Sequence, residues 1–451
     1  MQSLMKREDT MQRSLMKRAA AVVAVAMLIL LGGAAAAQAK TEIHFWHAMG
    51  GQLGETVNEL VKQFNQSQAE YEVKPLNKGT YPEVLTSAIA AYRQKNPPHI
   101  VQVFEVGTQT MLLSGAIIPT WELMKQQEIA VNWDDFIGPV TGYYSKDGKL
   151  YSMPFNSSTP ILYYNKDAFK KARLAADKPP ARWKEVEDAS RKILAAGAAK
   201  CGFTTSWPSW TMLENTFAWH NQPFATNDNG YKGLDTKLLI NSDFGQMHIG
   251  ALARWQTENV YSYGGRMGQP EPKFINGECA MVVASSALIG GFKKSVKFDW
   301  GTGPLPHWSV YRKQNTIVGG ATLWVMKGQK ATDYKGVARF MKFLAEPHQQ
   351  MWWAVTTGYV PITKTAVKNL EEGYFFKKNP EQWTAMSTLL HATPTPNSLG
   401  IRLGNFVQIR DGIEAELENI FAGKKTAKEG LDAAVAKGNE ILKEFAAANK
   451  P

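Results

Sequence analysis

The chain has 451 residues, 44% of them hydrophobic, with 51 Lys and Arg against 40 Asp and Glu, a formal net charge of +11. The basic residues are scattered among carboxylates rather than blocked together, which argues against a nucleic-acid-binding role. Such a length exceeds what one hydrophobic core comfortably supports, so two lobes are expected.

The N-terminus reads as an export signal. Lys6, Arg7, Arg13, Lys17 and Arg18 form a positive region, an apolar stretch follows from Ala19 to Ala36, and Ala37-Gln38-Ala39 supplies the small residues of a cleavage site. Cleavage after Ala39 would leave a mature chain from Lys40, with a net charge of +8, and a periplasmic location. An uncleaved anchor is the alternative reading, disfavoured by Gly32-Gly33 and the Ala-x-Ala site. No cysteine lies near the site, so no lipid attachment is expected there. Met11 and Met16 are alternative starts.

Thr41 to Trp46 has the look of a buried strand. After Gly50-Gly51, Leu53, Val57, Leu60, Val61 and Phe64 share one face of a helix. Tyr71 to Leu76 alternates as a strand, and Pro82 opens a second helix expected to turn Leu85, Ile89 and Tyr92 inward. Asn96-Pro97-Pro98 stops it, and residues 100–104 form another buried strand. This order predicts an α/β lobe with a largely parallel sheet. A second series begins with a strand at Ile161 to Tyr164, a helix marked by Trp183, Val186, Ile193 and Leu194, and a strand from Cys279 to Ala284. Helices close the chain at Val337 to Leu344, Gln349 to Thr356, Phe406 to Phe421 and Thr426 to Ala447. There is no repeat and no Pro/Gly-rich linker, which suits lobes joined by strands that cross more than once.

Several residues could carry chemistry. Glu105 follows an apolar strand, where open sheets bind ligands, although a surface or capping role is equally open. Ser158, in Asn156-Ser157-Ser158-Thr159-Pro160, could donate to an anion or simply belong to a polar turn, and Ser285 could serve an anion at a helix start or cap that helix. Trp207-Pro208-Ser209-Trp210 reads as a loop whose indoles either line a cleft or pack in a core. Gly319-Gly320 permits close backbone approach or is simply a turn. Arg410, beside the apolar face of its helix, suits a phosphate or an internal salt bridge. The two cysteines, Cys201 and Cys279, match no metal motif, and their pairing is left open. The histidines show no metal spacing, with His44 and His47 flanking an aromatic pair in a strand. No nucleophile elbow, Walker loop or dinucleotide fingerprint occurs. The paired carboxylates of a glycosidase have no fixed spacing to look for.

These residues lie in segments that resemble a known family. The segments are Phe45-Trp46-His47, Lys78-Gly79-Thr80-Tyr81, Val103-Phe104-Glu105-Val106-Gly107, residues 154–160, Tyr163-Tyr164-Asn165-Lys166-Asp167 and Asn276-Gly277-Glu278-Cys279-Ala280. Ala284-Ser285-Ser286, Gly319-Gly320-Ala321, Thr357-Gly358-Tyr359 and Arg402-Leu403-Gly404-Asn405 complete the set. Over essentially the whole mature chain the sequence is similar to the extracellular solute-binding family of bacterial ABC importers, which includes the maltose-binding protein, and within it to the branch that takes phosphorylated glycerol.

The resemblance implies a two-lobed α/β periplasmic binding protein fold of type II, with a hinge. One lobe would take residues 40–157 and 318–358, the other 158–317 and 359–451. It implies sn-glycerol-3-phosphate as ligand, delivery to an inner-membrane ABC permease and its ATPase, a monomer, no cofactor, no metal and no catalytic residue. Tyr81 and Glu105 would serve the glycerol hydroxyls, with Trp207 and Trp210 over its carbons. Ser158, Ser285, the Gly320 backbone, Tyr359 and Arg410 would surround the phosphate. A neutral sugar would leave Arg410 unpaired. Phe104 stands where the family carries tyrosine, and its ring is expected to face away from the cleft. Pro208-Ser209 departs from the family between the tryptophans and bears on the width of specificity. Glycerophosphocholine, other glycerophosphodiesters, an oligosaccharide and, remotely, hydrolysis are the competing readings.

Overall fold

Strand β1 (Thr41–His47) buries Ile43, Phe45 and His47 on one face and sets the pattern for the first sheet. The computed structural model describes residues 39–449 together with Met11, Met16, Lys17 and Ala19. The expected export signal otherwise lies outside the described residues. Strands β2 (Tyr71–Asn77) and β3 (Ile100–Phe104) flank β1 in parallel, with crossover helices at Gly51–Ser67 and Tyr81–Arg93. The second helix starts with Pro82 in its first turn and a capping box in which Glu83 receives the Thr80 amide.

That helix is rotated from the sequence expectation. Val84, Leu85, Ala88 and Ala91 face inward, whereas Ile89 and Tyr92 are each 36% exposed. Small alanines on the inner face let the helix lie close on β3, so the bulkier residues turn to its flank.

The chain continues through β4 (Ile117–Ile118), a short hairpin of β5 (Ser145–Lys146) and β6 (Lys149–Leu150), and then β7 (Met153–Ser158). Thr159 separates β7 from β8 (Pro160–Asn165), which belongs to a second sheet with β9 (Cys201–Thr205), β10 (Cys279–Ser285) and β11 (Trp300–Pro304), in the order β11-β8-β10-β9. The chain then returns to the first sheet as β12 (Gly319–Met326), giving β2-β1-β3-β12-β4 with β7 also paired to β12. The three strands on which the parallel expectation rests, β1, β2 and β3, do pair in parallel, but both complete sheets are mixed. β12 runs antiparallel to β3, β4 and β7, and in the second sheet only β9 and β10 are parallel. The reason is topological: a strand that re-enters from the other sheet need not follow the right-handed crossover that forces parallel pairing.

Cys201 and Cys279 open β9 and β10 directly opposite each other, with Cα atoms 4.5 Å apart, and form a disulfide. The pairing left open by the sequence is thereby decided. Beside them Trp183, Phe203, Trp255 and Trp308 pack edge to face and offset, a dense aromatic core for the second sheet. No helix among the described residues is long and apolar enough to cross a membrane. The fold brings the ends of β3, β7 and β10, the start of β12 and the helix Phe406–Phe421 to one place between the sheets.

Candidate binding site

A cavity of about 290 Å³ lies at that place, and all nine sequence-nominated residues line it: Tyr81, Glu105, Ser158, Trp207, Trp210, Ser285, Gly320, Tyr359 and Arg410. Its volume sits near the lower end for small-molecule sites, roughly 300 Å³.

Glu105 and Arg410 meet across the two sheets. The Glu105 carboxylate, just beyond β3, accepts from Arg410 Nη2 at 2.5 Å. Arg410 Nε and Nη2 also donate to both oxygens of Glu214, at 2.9 and 2.6 Å. Burial opposes the guanidinium charge, but Glu214 and Glu105 hold its pKa above the ordinary value. Burial and the neighbouring Glu214 raise the Glu105 pKa against the pull of Arg410. The expectation that Arg410 stays unpaired without an anionic ligand is therefore corrected. What remains is Nη1, which donates to no group among the described residues.

Glu214 was not nominated from the sequence. A carboxylate inside the run Trp210-Thr-Met-Leu-Glu-Asn-Thr-Phe-Ala-Trp is the signal that it needs a buried partner. It ends a π-helix, Ser209–Glu214, which replaces the loop expected at Pro208-Ser209. Wide turns of this kind re-aim side chains. Trp207, before it, holds φ at +52° while its N–H donates to the Met267 carbonyl at 2.8 Å. The Trp210 ring lies where a Cβ on Gly319 would fall, and Gly320 has φ of +95° with its α-carbon against the Asn156 carbonyl. The glycine pair is thus a close-approach site at the head of β12, not a free turn.

Phe104 also corrects its expectation. It lines the cavity and stacks on Tyr81, with ring centroids 5.2 Å apart and planes at 8°. The Arg410 guanidinium lies 5.8 Å from its ring centroid. Phenylalanine at this position therefore places an apolar ring on the site itself.

The tyrosines share one partner. Asn156 Nδ2 donates to the Tyr81 hydroxyl at 2.8 Å and to the Tyr359 hydroxyl at 3.2 Å. Burial raises both phenol pKa values, that of Tyr359 to about 12, so both stay protonated at neutral pH. Ser285 does cap, accepting from the Ala287 N–H at 3.1 Å, and it lines the cavity as well. Glu271, another residue the sequence reading missed, adds a carboxyl to the wall, and burial pushes its pKa up to about 7. The Arg402 motif residue is structural: it donates to the carbonyls of Gly142 and Tyr143.

The lining therefore offers donors (Arg410 Nη1, two phenols, two serines) and acceptors (Glu105, Glu271) between aromatic faces. It contains no histidine, lysine or cysteine to activate either serine.

The sequence profile described as bacterial extracellular solute-binding protein matches residues 59–385. The sn-glycerol-3-phosphate-binding periplasmic protein UgpB of Pectobacterium atrosepticum is 44% identical over 420 residues, covering 92% of this chain and 94% of that one. UgpB of Escherichia coli K12 is also 44% identical, over 418 residues, covering 92% and 95%. Among solved structures, UgpB from Mycobacterium tuberculosis in complex with glycerophosphocholine superposes with a TM-score of 0.76 at 22% identity, covering 90% of this chain and 99% of that one. The GacH receptor of Streptomyces glaucescens gives 0.75 at 18% identity, covering 90% and 100%. These two likenesses show the fold.

Proposed function

The chain belongs to the bacterial extracellular solute-binding protein family, and on that premise we propose that it captures sn-glycerol-3-phosphate in the periplasm and delivers it to an ABC import permease. The observation that carries the ligand is the gathering of all nine nominated residues around one small cavity, in a chain 44% identical to glycerol-3-phosphate-binding proteins. Ser158, Ser285, Tyr359, the Gly320 backbone and Arg410 Nη1 hold the phosphate. Tyr81 and Glu105 serve the glycerol hydroxyls, and Trp207 and Trp210 cover its carbons.

The protein acts as a carrier, a reading supported by its membership of a family of solute-binding proteins, and binding is reversible. Its two lobes take residues 40–157 with 318–358 and residues 158–317 with 359–451. Ligand that touches both lobes favours the closed state by its extra contacts there.

A glycerophosphodiester is the second reading. Glu271 on the wall, with the rings of Trp207, Tyr81 and Phe104 nearby, would suit a cationic head group. Calorimetric titration with glycerol-3-phosphate, glycerophosphocholine and maltose separates the readings. Heat with the monoester, weaker or absent heat with the diester and none with maltose is expected. Binding of maltose alone would refute the phosphate assignment.

A further inference from the structure

We propose that Asn156 is the positioning residue that fixes Tyr81 and Tyr359 as donors to accepting ligand oxygens, Tyr359 to the phosphate and Tyr81 to a glycerol oxygen. It rests on the phosphate reading above. Asn156 is fully buried in β7, behind the cavity wall. Its orientation is dictated by the backbone. The Ala48 N–H can only donate, and it meets Gln102 Oε1 at 2.7 Å. Gln102 must then present Nε2 to Asn156, and it donates to Asn156 Oδ1 at 2.7 Å. Asn156 is left with Nδ2 facing the tyrosines, and its two hydrogens go to the two hydroxyl oxygens.

Each phenol has one hydrogen. With its oxygen engaged as acceptor, the Tyr81 hydrogen meets the Met49 sulfur, 3.9 Å away and a weak acceptor, and the neighbouring Tyr359 oxygen. The Tyr359 hydroxyl donates to no group among the described residues. The Tyr359 O–H, and the Tyr81 O–H once it exchanges these contacts for a ligand oxygen, are therefore directed to an acceptor in the cavity their rings line. A relay that begins at a main-chain amide and ends at the ligand selects an oxygen that accepts and disfavours one that must donate.

The polarity can be inverted from outside the cavity. In Gln102→Glu, an ionised carboxylate accepts from Ala48 and can only accept from Asn156, whose amide must flip and present Oδ1 to the tyrosines. Both phenols then donate inward and are lost to the ligand. Asn156→Asp does the same directly, and Asn156→Ala removes the relay without adding charge. Glycerol-3-phosphate titrations at pH 8 are expected to show affinity falling roughly 10- to 100-fold in Gln102→Glu and Asn156→Asp, the worth of hydrogen bonds to a charged group. Relative to wild type, the Gln102→Glu deficit shrinks as pH is lowered, because the protonated carboxyl donates to Asn156 and restores the native direction. Tyr359→Phe costs the wild type about tenfold but costs nothing further in Gln102→Glu.

Variants are first checked for a native melting transition. If the charged ones do not fold, the coupling between Asn156→Ala and Tyr359→Phe decides the matter, additive losses refuting the relay. Wild-type affinity in folded Gln102→Glu at pH 8, or a deficit independent of pH, overturns the inference while leaving the ligand in place. Absence of binding by the wild type to both glycerol-3-phosphate and glycerophosphocholine overturns the ligand reading and this inference together.

Discussion

Removing Arg410 is the obvious test of phosphate binding, and the structure says that it perturbs stability first. Its guanidinium is the partner of two carboxylates whose side chains are 4% and 0% exposed, Glu105 and Glu214. Breaking a buried ion pair by deleting one partner costs about 3–5 kcal/mol, because the remaining charge loses its compensation. The Glu105 carboxyl, whose pKa burial already raises, can escape by binding a proton, at about 1.4 kcal/mol per pH unit above an ordinary value of about 4.3. That escape costs about 5 kcal/mol at pH 8 but only about 1 kcal/mol at pH 5. In Arg410→Ala the folded pKa of Glu105 lies above the unfolded one, so the penalty is full at high pH and is relieved as pH falls toward the unfolded value. Thermal melting should therefore show a deficit of about 3–5 kcal/mol at pH 8. In lobes of about 200 residues that is on the order of 10 °C. At pH 5 the deficit should fall to about 1–2 kcal/mol. Adding Glu214→Gln should recover much of the loss at pH 8. An equal deficit at both pH values, or no recovery in the double variant, would refute the assignment of Arg410 as the neutralising centre of this cluster.

Two further outcomes are expected. His248, fully buried with Nδ1 accepting from the Trp308 indole, is pushed by burial down to about 3. The unfolded chain binds its proton below about 6.5 while the folded chain does not, so this residue withdraws stability as pH falls. In paired denaturant titrations, His248→Gln should gain on wild type by up to about 2.7 kcal/mol between pH 6.5 and 4.5. A constant difference would contradict the buried neutral imidazole. Gly320→Ala places a methyl into the Asn156 carbonyl at a left-handed φ. It should cost about 2–4 kcal/mol and abolish glycerol-3-phosphate binding. A variant that melts like wild type would show the Gly320 backbone to be pliable.

The strands and the amphipathic helices were legible because their periods of two and 3.6 survive in the sequence. Four features were not, each for a physical reason. Ile89 and Tyr92 look like core residues, yet the helix presents its alanines to β3, and close approach outweighs side-chain size there. The antiparallel entry of β12 depends on where the chain comes from, which local pattern does not record. The π-helix at Ser209–Glu214 has no periodicity of its own over six residues, so the segment read as a loop and Glu214 went unremarked. Phe104 reaches the cavity together with Glu105 because the chain leaves the strand for a 3₁₀ turn at Glu105, a turn that the apolar run of residues 100–104 does not announce. The nine nominated residues came together because the resemblance carried their positions; local reasoning alone leaves seven of them divided between a ligand and a structural role and does not single out Tyr81 or Tyr359.

The remaining question is how a site whose one arginine is shared by two glutamates can accept a phosphate. The charges of Arg410, Glu105 and Glu214 sum to a negative value when all are ionised, so net attraction cannot be the principle of recognition. Direction can be. Glu214 grips the Nε edge of the guanidinium in a fork, which fixes its plane and leaves Nη1 as the one unengaged nitrogen. Asn156 likewise fixes the tyrosine hydroxyls as donors. Donors held in place before the ligand arrives lose little conformational freedom on binding. The raised pKa values of Glu105 and Glu271 add a second element, since a carboxyl that takes up a proton ceases to repel an anion and can itself donate. The carboxyls then favour an anion that carries hydroxyls over one that does not: a polyol satisfies Glu105 while the phosphate meets the donors, whereas bare phosphate meets the same donors and leaves the acceptors unfilled. Selectivity for a phosphorylated polyol follows from placing both sets around one cavity of about 290 Å³.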